Sequence, residues 1–169
     1  ADEGASVTLS GQYDDPEGRD SLTLSVSRGT ITADPVAGTW TWTDKAPNGP
    51  ASETVDVTVS DGIADPVTIS FTLEVNNVAP TAIGANVSTA EDVPLELLLE
   101  AADPGDDSLT WFITQPPVHG TLSGTAPNLT YTPAPEFNGT DAFAFAVTDV
   151  DGASSDEALV SITVTPVLD

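Results

Sequence analysis

Phe143-Ala144-Phe145-Ala146-Val147-Thr148-Asp149, followed closely by Asp151-Gly152, is the stretch whose reading decides the fold. Phe143, Phe145 and Val147 recur at every second position, which is the period of a half-buried strand with one face inward and one wet. Val55, Val57 and Val59 alternate in the same way, as do Ile69, Phe71, Leu73 and Val75, and again Val160, Ile162 and Val164. Thr and Val fill these runs, and both suit a pleated surface. Gly, Pro, Asn and Asp interrupt them roughly every ten residues, the punctuation of an antiparallel sandwich. Leu95 to Ala102 could be read as a helix, but Pro94 before it and Asp103-Pro104-Gly105 after it leave too few residues. It reads as a strand.

The same stretch has a partner upstream. Val57-Thr58-Val59-Ser60-Asp61-Gly62 matches Phe145-Ala146-Val147-Thr148-Asp149 at a spacing of 88 residues, and Asp15-Pro16 with Ser21-Leu22-Thr23 returns as Asp103-Pro104 with Ser108-Leu109-Thr110. Glu3 stands twelve residues before Asp15, as Glu91 does before Asp103. Such self-similarity predicts two copies of one module, residues 1–77 and 78–169, hinged at Val75-Asn76-Asn77-Val78-Ala79-Pro80. Copy two reads as seven strands, at 80–90, 95–102, 109–114, 120–123, 129–132, 141–148 and 158–165, lettered A to G. Copy one begins at the A–B loop. The expected fold class is all-β: two tandem immunoglobulin-like antiparallel β-sandwiches, the first lacking its own strand A. An open sandwich edge accepts a strand from a neighbour, so a self-assembling fibre subunit completed by strand donation is one alternative function.

Composition narrows the partners. Of the 169 residues, 27 are acidic and 3 basic, a formal charge of −24. Three cations cannot neutralise a run of phosphates, so neither nucleic acid nor membrane insertion is expected. No apolar run approaches the roughly 20 residues of a membrane span. Cysteine is absent, which excludes disulfides, thiolate metal sites and a thiol nucleophile. No signal peptide or initiator Met is visible, and the chain reads as a piece of something larger, extracellular or on a cell surface.

A surface this acidic attracts cations. The B–C and F–G loops of copy two hold Asp103, Asp106, Asp107, Asp149 and Asp151; the lower loops of copy one hold Glu3 and Glu53, and the linker adds Asn76 and Asn77. These converge on the expected seam between modules. Calcium suits them, because it takes six to eight oxygen ligands at about 2.3–2.6 Å, and neither His nor Cys is available there to favour zinc or copper. Further half-sites are expected at Asp15, Glu17 and Asp61 in copy one, and at Glu91 and Asp141 in copy two, joined there by Asp169. Turn-forming preference alone also places Asp and Asn in loops.

On these residues the chain resembles a known group. "TAEDVPLELLLEAADPGDDSLTWFITQPPVHGTLSG" (89–124), "PEFNGTDAFAFAV" (135–147) and "SITVTP" (161–166) are similar to bacterial cadherin-like, tandem Ig-like repeats of large surface adhesins and secreted repeat proteins. "VTLSGQYDDPEGRDSLTLSVSRGTIT" (7–32), "GTWTWT" (38–43) and "VNNVAPTA" (75–82) resemble a related bacterial Ig-like repeat. The resemblance implies a calcium-assisted, extracellular, beaded-rod role. Glu91, Asp103, Asp141 and Asp149 fall on acidic positions of the cadherin pattern, with Glu3, Asp15, Glu53 and Asp61 as their equivalents in copy one. The linker lacks the aspartates of that pattern, and Gly105 replaces an acidic residue, so weak to moderate calcium affinity is expected.

Catalysis is not expected. The chain has one His and one Lys, and His119 lies in the turn Pro117-Val118-His119-Gly120. A carbohydrate-binding module is the other alternative, since Trp40, Trp42 and Trp111 could stack on a sugar if exposed rather than packed in a core. The reading is a non-catalytic, calcium-stiffened spacer or adhesion segment. Its expected partners are adjacent modules or neighbouring copies, with extracellular polysaccharide or a cell-surface protein as further candidates.

Overall fold

The computed structural model describes residues 1–13, 22–34, 36–62 and 65–168. The regular elements among them are all strands. They divide into two compact units, Ala1–Val78 and Ala79–Asp169.

Unit one holds β1 (Ser6–Gln12), β2 (Thr23–Val26), β3 (Thr30–Asp34), β4 (Thr39–Lys45), β5 (Ala51–Ser60) and β6 (Val67–Val75). They form two three-stranded sheets, β1-β4-β3 and β2-β5-β6, antiparallel throughout. This is strands B to G of an immunoglobulin-like sandwich, with sheets B-E-D and C-F-G. Alternation does the sorting: Trp40 and Trp42 of β4, Val55 of β5, and Leu73 and Val75 of β6 point inward and form the core. Of a strand A, the described residues show only its last step. Asp2 bridges Asn76 in parallel, and the amide of Asn76 donates to the carbonyl of Ala1. Further up that edge of β6, Ile69 and Val67 are 50% and 65% exposed.

Unit two holds β7 (Thr81–Ile83), β8 (Ala85–Ala90), β9 (Leu95–Leu98), β10 (Glu100–Ala102), β11 (Thr110–Gln115), β12 (Gly120–Thr125), β13 (Asn128–Pro133), β14 (Gly139–Thr148) and β15 (Ala158–Thr165). The stretches 80–90 and 95–102, expected as single strands, are each split and serve two sheets. β7 pairs with β10, whereas β8 runs parallel to β15 and β9 pairs with β13. The first switch occurs at Gly84, where a Cβ would stand 2.6 Å from the carbonyl oxygen of Leu159, so only glycine lets the chain cross that close to β15. The principal sheets are β11-β14-β15-β8 and β12-β13-β9. Between them lie Phe143, Phe145, Val147, Val160, Ile162, Val164 and Tyr131, each 2% exposed or less. Each such side chain contributes about 1.5–3 kcal/mol by leaving water.

Candidate functional site

The two units place equivalent acidic residues at equivalent points in two arrangements, and a third is described in unit two. The first is the corner before strand B. Glu3 and Glu91 are both buried, 2% and 7% exposed. Glu3 accepts hydrogen bonds from the amides of Gly49 (2.8 Å) and Val78 (2.7 Å). Glu91 accepts from the side-chain amide of Asn138 (3.2 Å) and from the backbone amide of Val167. Each carboxylate therefore ties the corner to the approach of strand F and to the chain leaving strand G. In unit one the amide of Asn77's neighbour Asn76 completes the same end, its side chain donating to Asp2 at 3.3 Å.

The second arrangement involves Glu53 and Asp141. Both lie in strand F rather than in a loop, opposite Leu73 and Ile162 respectively. The Glu53 carboxylate takes a charged hydrogen bond from the Arg28 guanidinium, which also grips Asp44 and donates to the carbonyl of Lys45. The hydrogen bonds to Glu53 and then Asp44 raise the Arg28 pKa further above its already high ordinary value. Asp141 is 7% exposed and has no cation. It accepts from the amides of Val118 (3.0 Å), His119 (2.9 Å) and Ala142 (2.9 Å) and from the Tyr131 hydroxyl (2.8 Å). Burial pushes the Asp141 pKa up, but these four donors outweigh it and hold the carboxyl below the usual carboxylate range. Burial, with the Asp141 bond second, pushes the Tyr131 phenol well above its ordinary value.

The third arrangement is the acidic loop set. The register Thr110↔Thr148 brings the B–C and F–G loops of unit two to one end, and Ala102↔Thr81 brings the entering chain to that same end. There Asp103 Oδ1 accepts from the amides of Gly105 (2.9 Å) and Asp107 (3.1 Å), a local turn that fixes the loop. Asp106 adopts φ 62°, a conformation Asp tolerates better than most residues. Asp149, 5% exposed, accepts from the amide of Ala153 at 2.8 Å, and Asp151 is exposed in the following turn. Asp103 Oδ2 is buried and accepts no hydrogen bond among the described residues. A buried carboxylate oxygen left without a donor is costly, and a bound cation is the natural relief. The donor set here is hard oxygen throughout, which fits calcium.

In unit one, Asp61 follows β5 at the F–G end, while Asp15 and Glu17 lie outside the described residues, as does Asp169. Trp40 and Trp42 are 7% and 0% exposed, and Trp111 stacks on Phe145 with centroids 5.8 Å apart. The first two are core anchors, so they present no sugar platform. His119 stacks on Phe137, centroids 4.3 Å apart and rings 8° from parallel.

Arg28, Val118 and His119 were not singled out from the sequence as partners of the strand-F acids. A signal exists, however. Arg28-Gly29-Thr30-Ile31 and His119-Gly120-Thr121-Leu122 stand at equivalent positions, entering β3 and β12, whose Ile31 and Leu122 face Trp42 and Tyr131 across the ladder. The glycine is required in both, since a Cβ would stand 2.7 Å from Trp42 at Gly29 and 2.3 Å from Tyr131 at Gly120.

A family model described as bacterial Ig domain matches residues 76–163, more than half of the 169. No curated protein matches the chain. Among solved structures, the chain is similar to the endo-fucoidan hydrolase MfFcnA4 from glycoside hydrolase family 107, with 22% identity and a TM-score of 0.48, covering 99% of this chain and 27% of that one. The human desmocollin-1 ectodomain gives 14% identity and a TM-score of 0.43 over 99% of this chain and 39% of that one. The fibronectin(III)-like modules of Clostridium thermocellum CbhA give 16% and 0.36 over 98% and 88%. The chain thus spans about a quarter of the hydrolase's length and about two fifths of the desmocollin ectodomain's.

Proposed function

Since the chain belongs to the bacterial Ig domain family, we propose that it is a non-catalytic, extracellular spacer or adhesion segment of a bacterial surface protein or fibre, stiffened by calcium. The ion is held at the end of unit two where the chain enters, by Asp103, Asp107 and Asp149, with Asp106 and Asp151 as further oxygen donors. The single observation that carries this reading is the buried, undonated Oδ2 of Asp103. Calcium supplies charge neutralisation in a chain of formal charge −24 and fixes loops that carboxylate repulsion otherwise loosens. Holding the B–C loop and the F–G loop to one ion fixes that end of unit two. Glu3, Glu91, Glu53 and Asp141 also take hydrogen bonds from donors of their own units.

Calcium titration by calorimetry tests the reading, with thermal unfolding and small-angle scattering of the same chain with and without chelator. Extracellular modules of this kind bind at about 0.1–1 mM, so roughly 10 mM calcium should stabilise unit two by about 1.4 kcal/mol at the weak end of that range. The scattering particle should lengthen. Asp103→Asn keeps an acceptor for Gly105 and Asp107 but removes the charge, and it should abolish the calcium heat without unfolding the loop. No heat at millimolar calcium, with an unchanged particle, overturns the proposal.

A further inference from the structure

The outer face of the β11-β14-β15-β8 sheet carries no charge. Along each strand the residues alternating with the core set are Ala, Ser, Thr, Asn, Gln, Phe or Leu, with no Asp, Glu, Lys or Arg among them. Every other sheet among the described residues carries at least one charge on its outer face. Asp34 and Lys45 lie on β1-β4-β3, Asp56 and Glu74 on β2-β5-β6, Glu96 on β12-β13-β9, and Glu100 on β10-β7. In a chain with 27 acidic residues, a neutral face of four strands is the exception that calls for a cause. Inheritance from the repeat is not that cause, because the equivalent sheet of unit one keeps Asp56 and Glu74.

The neutral face also has relief. Ala142, Ala144 and Ala146 make a floor along β14, with Ala144 only 4% exposed. Phe112 stands opposite Ala146 and Leu159 opposite Ala144, and these two are 49% and 55% exposed. An exposed Phe and Leu flanking an alanine strip is a knob beside a hollow, and a two-fold axis through such a surface sets each knob into the other copy's hollow.

We propose that this face is a self-association surface through which two copies of the chain pair, unit two to unit two. The absence of like charge selects the occupant. Two copies approaching by β2-β5-β6, β12-β13-β9 or β10-β7 bring one acidic face toward another, whereas on this face no charge meets its like. The proposal goes beyond the calcium reading and does not depend on it. Four strands at about 4.8 Å and six residues at about 3.3 Å give roughly 400 Å² a side, below the size of a stable specific interface. The pairing is therefore weak for one module and gains strength by repetition along an array.

The test is sedimentation velocity of the full chain from roughly 10 μM to 1 mM with chelator present throughout, a range that brackets a small interface. The weight-average sedimentation coefficient should rise with concentration. It should rise more at about 0.5 M than at 0.05 M salt, because screening removes the repulsion between two chains of like charge. Phe112→Glu and Leu159→Glu, both at exposed positions, should each reduce association at least tenfold, while Glu96→Gln on the opposite sheet should leave it unchanged. A monomer at every concentration overturns the proposal. So does association that survives both glutamates.

Discussion

Strand F carries an acid near its start in both units, and the two are held by different chemistry. Glu53 meets a guanidinium whose side chain is 29% exposed, and that one cation serves Asp44 as well. Asp141 meets three backbone amides and a phenol in a place 7% exposed. The turn that supplies the partner stands at the same place in each, Arg28-Gly29-Thr30 against His119-Gly120-Thr121. The aromatic beneath it is equivalent too, Trp42 donating to the carbonyl of Arg28 at 2.7 Å where Tyr131 donates to Asp141. The fold thus specifies a carboxylate-to-turn link between the sheets, and leaves open whether a side chain or the backbone completes it. A backbone-held carboxylate is shielded from salt but sensitive to acid. A guanidinium-held pair near the surface is sensitive to salt.

Removing the charge at Asp141 should have the largest effect. Asp141→Asn offers one carbonyl and two unwanted N–H groups to a pocket of donors, so it should cost roughly 3 kcal/mol, the range of charged hydrogen bonds plus stranded amides. Amide exchange resolved by unit should place the loss in unit two. The pH dependence follows in sign. The folded pKa of Asp141 is depressed, so its stabilisation is full above the unfolded value of about 3.9 and is lost as pH falls through the folded value. Asp141→Asn should therefore flatten the acid limb of unit two's stability. An equally steep limb in the variant breaks the comparison at its stronger side.

Arg28→Ala comes next, with an expected cost of about 1–2 kcal/mol in unit one, since the pair is only partly buried. Arg28→Lys should recover little of it, because an ammonium cannot fork to Asp44 and Glu53 together. The deciding readout is salt: the difference between parent and Arg28→Ala should shrink from low to high ionic strength, whereas the Asp141→Asn difference should not. Equal salt dependence in the two units removes the distinction drawn here.

The sandwich was legible because alternation is written in the side chains themselves: Phe143, Phe145 and Val147 could be buried together only as a strand. The split of the A and B segments was not, since Gly84 marks it only through an approach to Leu159 distant in sequence. The acidic positions also stood out, as repeated letters at fixed offsets. What each acid does was hidden for a physical reason. Amides such as those of Val118 and His119 belong to every residue and leave no mark in composition, so a carboxylate that they satisfy looks the same in sequence as one awaiting a metal. The neutral outer face was equally hidden, because alternation had drawn notice to the inward set and passed over its complement.

Tyr131→Phe makes the smallest change and the sharpest one. It removes a single hydroxyl that donates to Asp141 at 2.8 Å, while the 3.5 Å approach to the carbonyl of His119 is too long to count for much. The amides of Val118, His119 and Ala142 remain, so the cost should be about 0.5–1.5 kcal/mol at neutral pH. Its acid signature is more telling than its size. Losing one of the donors that lower Asp141 lets burial count for more, so the folded pKa of Asp141 moves up toward its unfolded value. Its stabilisation then disappears at a higher pH as acid is added, and acid unfolding of unit two should begin earlier than in the parent. At the alkaline end, the phenol of Tyr131 is pushed up by burial first and by Asp141 second, so in the parent it should stay protonated well above the ordinary tyrosine range. An unmoved acid midpoint means that the three amides alone hold Asp141, and the Tyr131 hydroxyl then adds nothing to that carboxylate.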